Sequence, residues 1–176
     1  MRIIAGSLGG RNFASPHGHG THPMSDKVRG ALFNTLGDIE GLRVLDAFAG
    51  SGALAFEALS RGATSAMLIE NDNAAQRAIA ENIRELGLGS RAKLTKAAAG
   101  AWLDTSSETF DIVLLDPPYD HLQPLLLTDL AQLTVQGGVV VLSLPPNALF
   151  DLPDQFKQLV HKNYGDAELA FYRRVQ

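Results

Sequence analysis

VLDAFAGSGALAFEAL, residues 44–59, runs from an alternating apolar segment through two glycines into residues at helical spacing. That change of period predicts a strand, a tight turn and a helix. Gly50 and Gly52 permit a backbone turn that a side chain would block, and they would deliver the N-terminus of the following helix to a ligand. Outward from this unit the same rhythm repeats. LRVLDAF, SAMLIE, AKLTKA, FDIVLLD and GVVVLSL read as apolar strands that each follow a helical or loop stretch, the βαβ pattern of a parallel sheet buried on both faces. Helices are predicted over Ala53–Ser60, Asn73–Leu86 and Gln123–Leu133. Near the end, FKQLVHKNYGDAELAFYRRV reads as two strands about a Tyr-Gly-Asp turn, an antiparallel hairpin at the sheet edge. At the start, RIIAG and RNFAS suggest a small hairpin and SPHGHGTHP a loose loop. A helix follows over Ser25–Leu36, with Ser25 as N-cap and Val28, Ala31, Leu32, Thr35 and Leu36 on one face. The expected architecture is α/β, a mostly parallel seven-stranded sheet with an antiparallel edge strand. Residues 1–37 form a hairpin-and-helix appendage to a domain spanning 38–176.

Composition bounds the function. With 176 residues, 45% apolar and 19% charged, the chain can bury one substantial core. No apolar run approaches the length of a membrane span, and MRIIAGSLGGRNF lacks the apolar centre of a signal peptide, so a cytoplasmic protein without a membrane partner is expected. Cysteine is absent, which excludes disulfide and thiolate chemistry. The five histidines lack the carboxylate or thiolate company of a metal centre, so no metal is expected; His17, His19 and His22 read as part of a polar loop. The net charge is −4, yet residues 1–37 carry Arg2, Arg11, Lys27 and Arg29 against Asp26 alone. Such asymmetry suits an arm facing a polyanion, and it equally suits an ordinary solvated face.

Ligands of open α/β sheets bind at the carboxyl ends of the strands. Gly50, Gly52 and Ala55 meet a dinucleotide fingerprint with alanine in its third place, although glycines there also serve plain tight turns. Asp46 ends the strand before them, where it would repel a pyrophosphate and attract an amine. Glu70 ends the next strand, eighteen residues beyond Gly52, where an acid can accept both hydroxyls of a ribose. One acid for an ammonium and one for a ribose describe S-adenosylmethionine better than NAD. At the fourth strand end, LLDPPY places Asp116, Pro117, Pro118 and Tyr119. Two prolines fix φ twice and give no N–H to a ladder, so the segment is a stiff exit from the strand. Asp116 and the Pro117 carbonyl could each accept a hydrogen of an exocyclic amine, aiming the nitrogen lone pair at a methyl carbon. Tyr119 could stack on the base, and Asp116 could take the proton. The plainer reading is that Pro-Pro only stops the strand.

DAFAGSGALAFEALSRGA, LIEND and LLDPPY, preceded by RIIAG, GR and SDKVRGALFNTL, resemble the bacterial small-subunit ribosomal RNA methyltransferases that modify guanine N2, the RsmD family. The resemblance covers nearly the whole chain. It implies a class I methyltransferase sheet of Rossmann-like type, S-adenosylmethionine as donor, and 16S rRNA in a small-subunit assembly intermediate as partner. The cofactor residues it implies are Asp46, Phe48, Ala49, Gly50, Ser51, Gly52, Glu70, Asn71 and Ala98. The RNA contacts it implies are Arg2, Arg11, Lys27 and Arg29. A monomer is expected.

The chain also departs from that pattern. His22, Pro23 and Met24 stand where Arg-Pro-Thr is usual, and Gly30 follows the motif arginine in place of glutamate. After the third strand, relatives carry Asp or Asn to bond the adenine amine, whereas TKAAAGAWL offers alanines, with Ala98 at that position. Trp102 is expected in the core or an adenine-pocket wall. His121 is read as surface or substrate contact, and Arg173 and Arg174 as phosphate contacts or solvated edge charges. Two other functions fit the strand-end motifs: an adenine-N6 methyltransferase, and a nucleotide-binding module without catalysis.

Overall fold

The computed structural model describes residues 1–16 and 24–176. The loop histidines His17, His19 and His22, and Pro23, lie outside these residues. Seven strands form one sheet in the order β3-β2-β1-β4-β5-β7-β6. In chain order the elements are α1 (Asp26–Leu36), β1 (Arg43–Asp46), α2 (Ala53–Ser60), β2 (Ser65–Glu70), α3 (Asn73–Glu85) and β3 (Ala92–Lys96). They continue with α4 (Ala99–Leu103), β4 (Phe110–Leu115), α5 (Pro124–Ala131), β5 (Thr134–Leu144), β6 (Phe156–Asn163) and β7 (Glu168–Arg174). β1 to β5 run parallel, and β7 lies antiparallel between β5 and β6. The last two strands are therefore a hairpin at the edge, with β6 outermost. ELAFY in β7 is buried throughout while β6 is mostly exposed, as their places require.

The two faces of the sheet carry separate apolar clusters. Val44, Leu68, Leu114 and Val141 face α1, α2 and α3. Leu45, Ile69, Val113 and Leu142 face the other way, with Trp102 of α4 and Leu127 and Leu130 of α5. Trp102 is a core residue, tilted against Phe110 with ring centroids 6.4 Å apart. Helix α4 was not evident in the alanine-rich sequence. Strand β5 starts earlier than GVVVLSL suggested, because Gly137 at φ 83° turns the chain within it, and α5 stops at Ala131.

All eight residues of α2 are buried, because the sheet covers one side and the N-terminal segment the other. Two polar side chains of the helix hold that segment. Glu57 accepts from the backbone N–H of Ile4 at 2.7 Å and of Ala5 at 3.1 Å. Ser60 accepts from Leu8 N–H at 2.9 Å, and its carbonyl accepts from Ser7 N–H at 2.7 Å. Gly6, at φ 83°, passes so close that a Cβ there would lie 1.9 Å from the Ser60 carbonyl oxygen. Asn82 of α3 bonds both the N–H and the carbonyl of Ala14. The expected N-terminal hairpin is present and short: about the antiparallel bridge of Arg2 with Asn12, Ile3 N–H donates to the Arg11 carbonyl at 2.9 Å, Gly10 N–H to the Ile3 carbonyl at 2.8 Å and Phe13 N–H to the Met1 carbonyl at 2.9 Å, while the clamps take the backbone groups of Ile4, Ala5, Ser7 and Leu8. Ile3, Phe13, Val28, Leu32 and Phe33 share a cluster with α2 and β1, so residues 1–16 and α1 pack into the main core.

Candidate active site

Register places three acids side by side. Asp46 pairs with Leu68 of β2, and Glu70 stands two residues further along that strand. Asp46 also pairs with Leu114 of β4, two residues before Asp116. Side chains two apart share a face of a strand, so Glu70, Asp46 and Asp116 project to the same side at the carboxyl ends of three adjacent parallel strands. Like charges so placed disfavour simultaneous ionisation. Burial pushes the Asp46 carboxyl up to about 8; the charge of Asp116 and, more weakly, of Glu70 add to this, against the backbone N–H groups of Ala55 and, least of all, Phe48. Burial also pushes Asp116 up to about 6, opposed by a hydrogen bond from Ser143.

Each acid has distinct partners. Asp46 is 1% exposed, and its Oδ2 accepts at 3.3 Å from the N–H of Ala55 in the first turn of α2, an N–H with no partner inside the helix. Its Oδ1 is buried without any hydrogen bond among the described residues. An unpaired buried oxygen is costly unless something donates to it. Glu70 accepts from Gly50 N–H and from Asp72 N–H, both at 2.7 Å, and so ties the glycine turn to the end of β2. Each of its oxygens retains a lone pair for a further donor. Asp72 in turn caps α3 through Ala74 and Ala75.

The turn itself depends on its glycines. Gly52 caps α2 at φ 79° and ψ 6°, and a Cβ there would lie 2.7 Å from the Phe56 ring. Gly50 also has positive φ, 54°. Ala49 and Ser51 are buried, while Phe48 and Gly50 are partly open. Asn71 and Ala98 are exposed at the ends of β2 and β3. Ala98 occupies the N-cap of α4 and gives it no side-chain bond. The donor set fits S-adenosylmethionine at two of its ends: the unpartnered Asp46 oxygen suits an ammonium, and the spare lone pairs of Glu70 suit ribose hydroxyls. Asn71 and backbone groups at the ends of β2 and β3 are open to a further donor or acceptor.

The proline pair leads out of β4 as the sequence suggested. Pro117 is buried, Pro118 exposed, and Asp116 and Tyr119 partly buried. Sequence reading missed Ser143. Leu115 pairs with Leu142, which puts Asp116 beside Ser143 at the next step along β4 and β5. The Ser143 Oγ also lies 2.7 Å from the Tyr119 hydroxyl. The available signal was a lone hydroxyl ending an otherwise apolar strand, in VVVLSLPP.

The four N-terminal cations divide. Arg2, Arg11 and Lys27 are exposed, with Arg2 3.4 Å from Asp26 and Arg11 donating to the Glu85 carbonyl at 2.8 Å. Arg29 corrects the expectation of an RNA contact. It is fully buried, donating to the carbonyl of Arg2 at 2.6 Å and to Asp26 at 2.8 Å, with Glu57 3.9 Å from its Nε. Its guanidinium joins the N-terminal segment, α1 and α2 from within. Arg174 is likewise occupied, donating to the carbonyls of Gln132 and Thr134, and β7 is interior rather than an edge. His121 is exposed.

Five parallel strands completed by an inserted antiparallel β7, with acids closing β1 and β2 around a glycine turn, define a class I methyltransferase fold. The family described as Conserved hypothetical protein 95 matches residues 1–173, and the chain belongs to that family. Ribosomal RNA small subunit methyltransferase D of Escherichia coli (strain K12) is 35% identical over 179 residues, covering 99% of this chain and 90% of that protein. YlbH of Bacillus subtilis (strain 168) is 34% identical over 184 residues, 99% of each chain. The solved structure of yhhF from Escherichia coli is similar at a TM-score of 0.89 and 32% identity, covering 99% of this chain and 98% of that one. The resemblance to the RsmD family drawn from the motifs is borne out.

Proposed function

We propose that the chain transfers a methyl group from S-adenosylmethionine to the exocyclic N2 of a guanine in 16S rRNA, within a small-subunit assembly intermediate. The observation that carries this reading is the row of three acids on one face, with Asp116 stiffened by two prolines beside the glycine turn. The similarity to ribosomal RNA small subunit methyltransferase D supports the choice of substrate. When bound, S-adenosylmethionine supplies a methyl group activated by its sulfonium.

The chain's own residues do the rest. Asp46 accepts from the cofactor's ammonium through the oxygen that otherwise lacks a partner. Glu70 accepts from the ribose, Phe48 to Gly52 form the floor, and Asn71 and Ala98 flank the adenine. Asp116 and the Pro117 carbonyl accept the two amine hydrogens and orient the nitrogen lone pair. With its carboxyl pushed up to about 6, Asp116 is largely ionised at neutral pH and close to the working range of a proton acceptor, so it takes the proton the amine sheds. Tyr119 stacks on a base that has left its own stack, which costs least in an RNA loop. Arg2, Arg11 and Lys27 are positioned for phosphates, a modest electrostatic contribution that a ribonucleoprotein surface would supplement.

Asp116→Ala tests this assignment. Transfer should fall at least about 1,000-fold, the size of a lost electrostatic or proton-accepting group, while calorimetry shows cofactor affinity within about threefold of wild type, under 1 kcal/mol. Joint loss of transfer and cofactor binding would instead assign Asp116 to the architecture of the strand end.

A further inference from the structure

Ser143 is the single hydroxyl in the apolar run Val139–Leu144, and it is 2% exposed. A buried hydroxyl is costly without partners. The Ser143 Oγ lies 2.7 Å from the Tyr119 hydroxyl, and the register of β4 and β5 sets it beside the Asp116 carboxylate, whose charged form its O–H favours. A serine has one proton and two lone pairs, and an ionised carboxylate can only accept. The polarity of the chain is thereby fixed. Tyr119 donates to Ser143, and Ser143 donates to Asp116.

The prolines fix the backbone of residues 117 and 118, but they leave free the side-chain torsions of Asp116 on one side and Tyr119 on the other. One hydroxyl restrains both. We propose that Ser143 is a positioning residue for methyl transfer, its single O–H holding the Asp116 carboxylate and the Tyr119 ring in a fixed mutual arrangement before the base arrives; this rests on the functional reading above. Tying the acceptor to the stacking surface lowers the ordering cost that the base would otherwise meet on entry.

The test uses the full chain with Ser143→Ala and Ser143→Thr. Asp116 is titrated by carbon-13 carboxyl resonances without substrate, and kcat, KM and cofactor Kd are measured as functions of pH on immature small subunits. Removing the donor should raise the Asp116 midpoint by about one pH unit, the worth of one hydrogen bond to a charged group. The acid limb of kcat should move with it, and kcat at pH 7 should fall about 10- to 100-fold. Cofactor Kd should stay within about twofold, because among the described residues no side-chain hydrogen bond joins Ser143 to the cofactor residues, and threonine should restore the midpoint and most of kcat. An Ala variant with the wild-type midpoint would overturn the inference. So would equal losses in the Ala and Thr variants, which would assign the effect to packing at the end of β5. A wild-type enzyme that transfers no methyl group would count against the functional reading itself, and that result is visible without either variant.

Discussion

Asp46→Asn should make the ligand-free protein more stable at pH 8 while weakening its hold on the cofactor. In the unfolded chain this carboxyl titrates near 3.8, and in the folded chain burial and the neighbouring acids push it up to about 8. Between those values the folded state binds more protons than the unfolded state, so stability falls as pH rises through the window and levels off above about 8. The ceiling is on the order of 6 kcal/mol, at 1.4 kcal/mol per pH unit. Relaxation of the site and the shared titration with Asp116 bring the expected loss to about 2 to 3 kcal/mol. Asparagine carries no charge to desolvate, and its carbonyl can keep the bond from Ala55 N–H. Its amide lies where Oδ1 has no partner, which costs about 1 kcal/mol for an unsatisfied donor. The variant should therefore match or fall slightly below wild type at pH 5 and exceed it by about 1 to 2 kcal/mol at pH 8. Urea unfolding at both pH values reads this directly. Parallel pH dependences for the two proteins would refute the reasoning, since they would mean that Asp46 titrates alike folded and unfolded. The accompanying loss of cofactor affinity would be a case of stability exchanged for function.

Ala98→Asp should tighten S-adenosylmethionine by about 0.5 to 1.5 kcal/mol, up to roughly tenfold, by supplying a hydrogen bond to the adenine and a side-chain cap that α4 lacks; calorimetry with unchanged affinity would place the adenine elsewhere. Gly30→Ala should raise stability by about 0.5 to 1 kcal/mol and Tm by about 1 to 4 °C, because Gly30 lies inside α1 and, among the described residues, an added Cβ would meet the Ile4 side chain at 3.7 Å (Cδ1) and 4.0 Å (Cγ2), ordinary contacts. A lower Tm would mean that the helix cannot accept the methyl group.

The fold was legible where local chemistry and tertiary place agree. The bounds of α2, Ala53–Ser60, and the start of α3 at Asn73 followed from glycines and polar caps that act on their own neighbours. The row of acids was legible because each closes an apolar run. What escaped the sequence depends on contacts between distant residues. Arg29 looked like a surface cation by type, yet it belongs to the buried stripe Val28, Arg29, Leu32 and Phe33, and its burial is made tolerable by Asp26 together with the distant Arg2 carbonyl and Glu57. The N-terminal hairpin was legible, but its attachment to α2 and α3 through Glu57, Ser60 and Asn82 was not, for a related reason. Ser143 carries no local signature beyond being polar, and its role emerges only when β5 is placed beside β4. The order of the last two strands was partly readable, because LAFY, residues 169–172, is a continuous run without charge as suits an interior strand, while FKQLVHKN is not.

Incubating the protein with methyl-labelled S-adenosylmethionine and immature small subunits, then mapping modified nucleotides by mass spectrometry, tests guanine-N2 transfer most directly. Label at the N2 of one guanine in 16S rRNA, lost in Asp116→Ala, is the expected result. Label on an adenine amine would contradict the choice of base, and no label from a chain that binds the cofactor would contradict the enzyme itself.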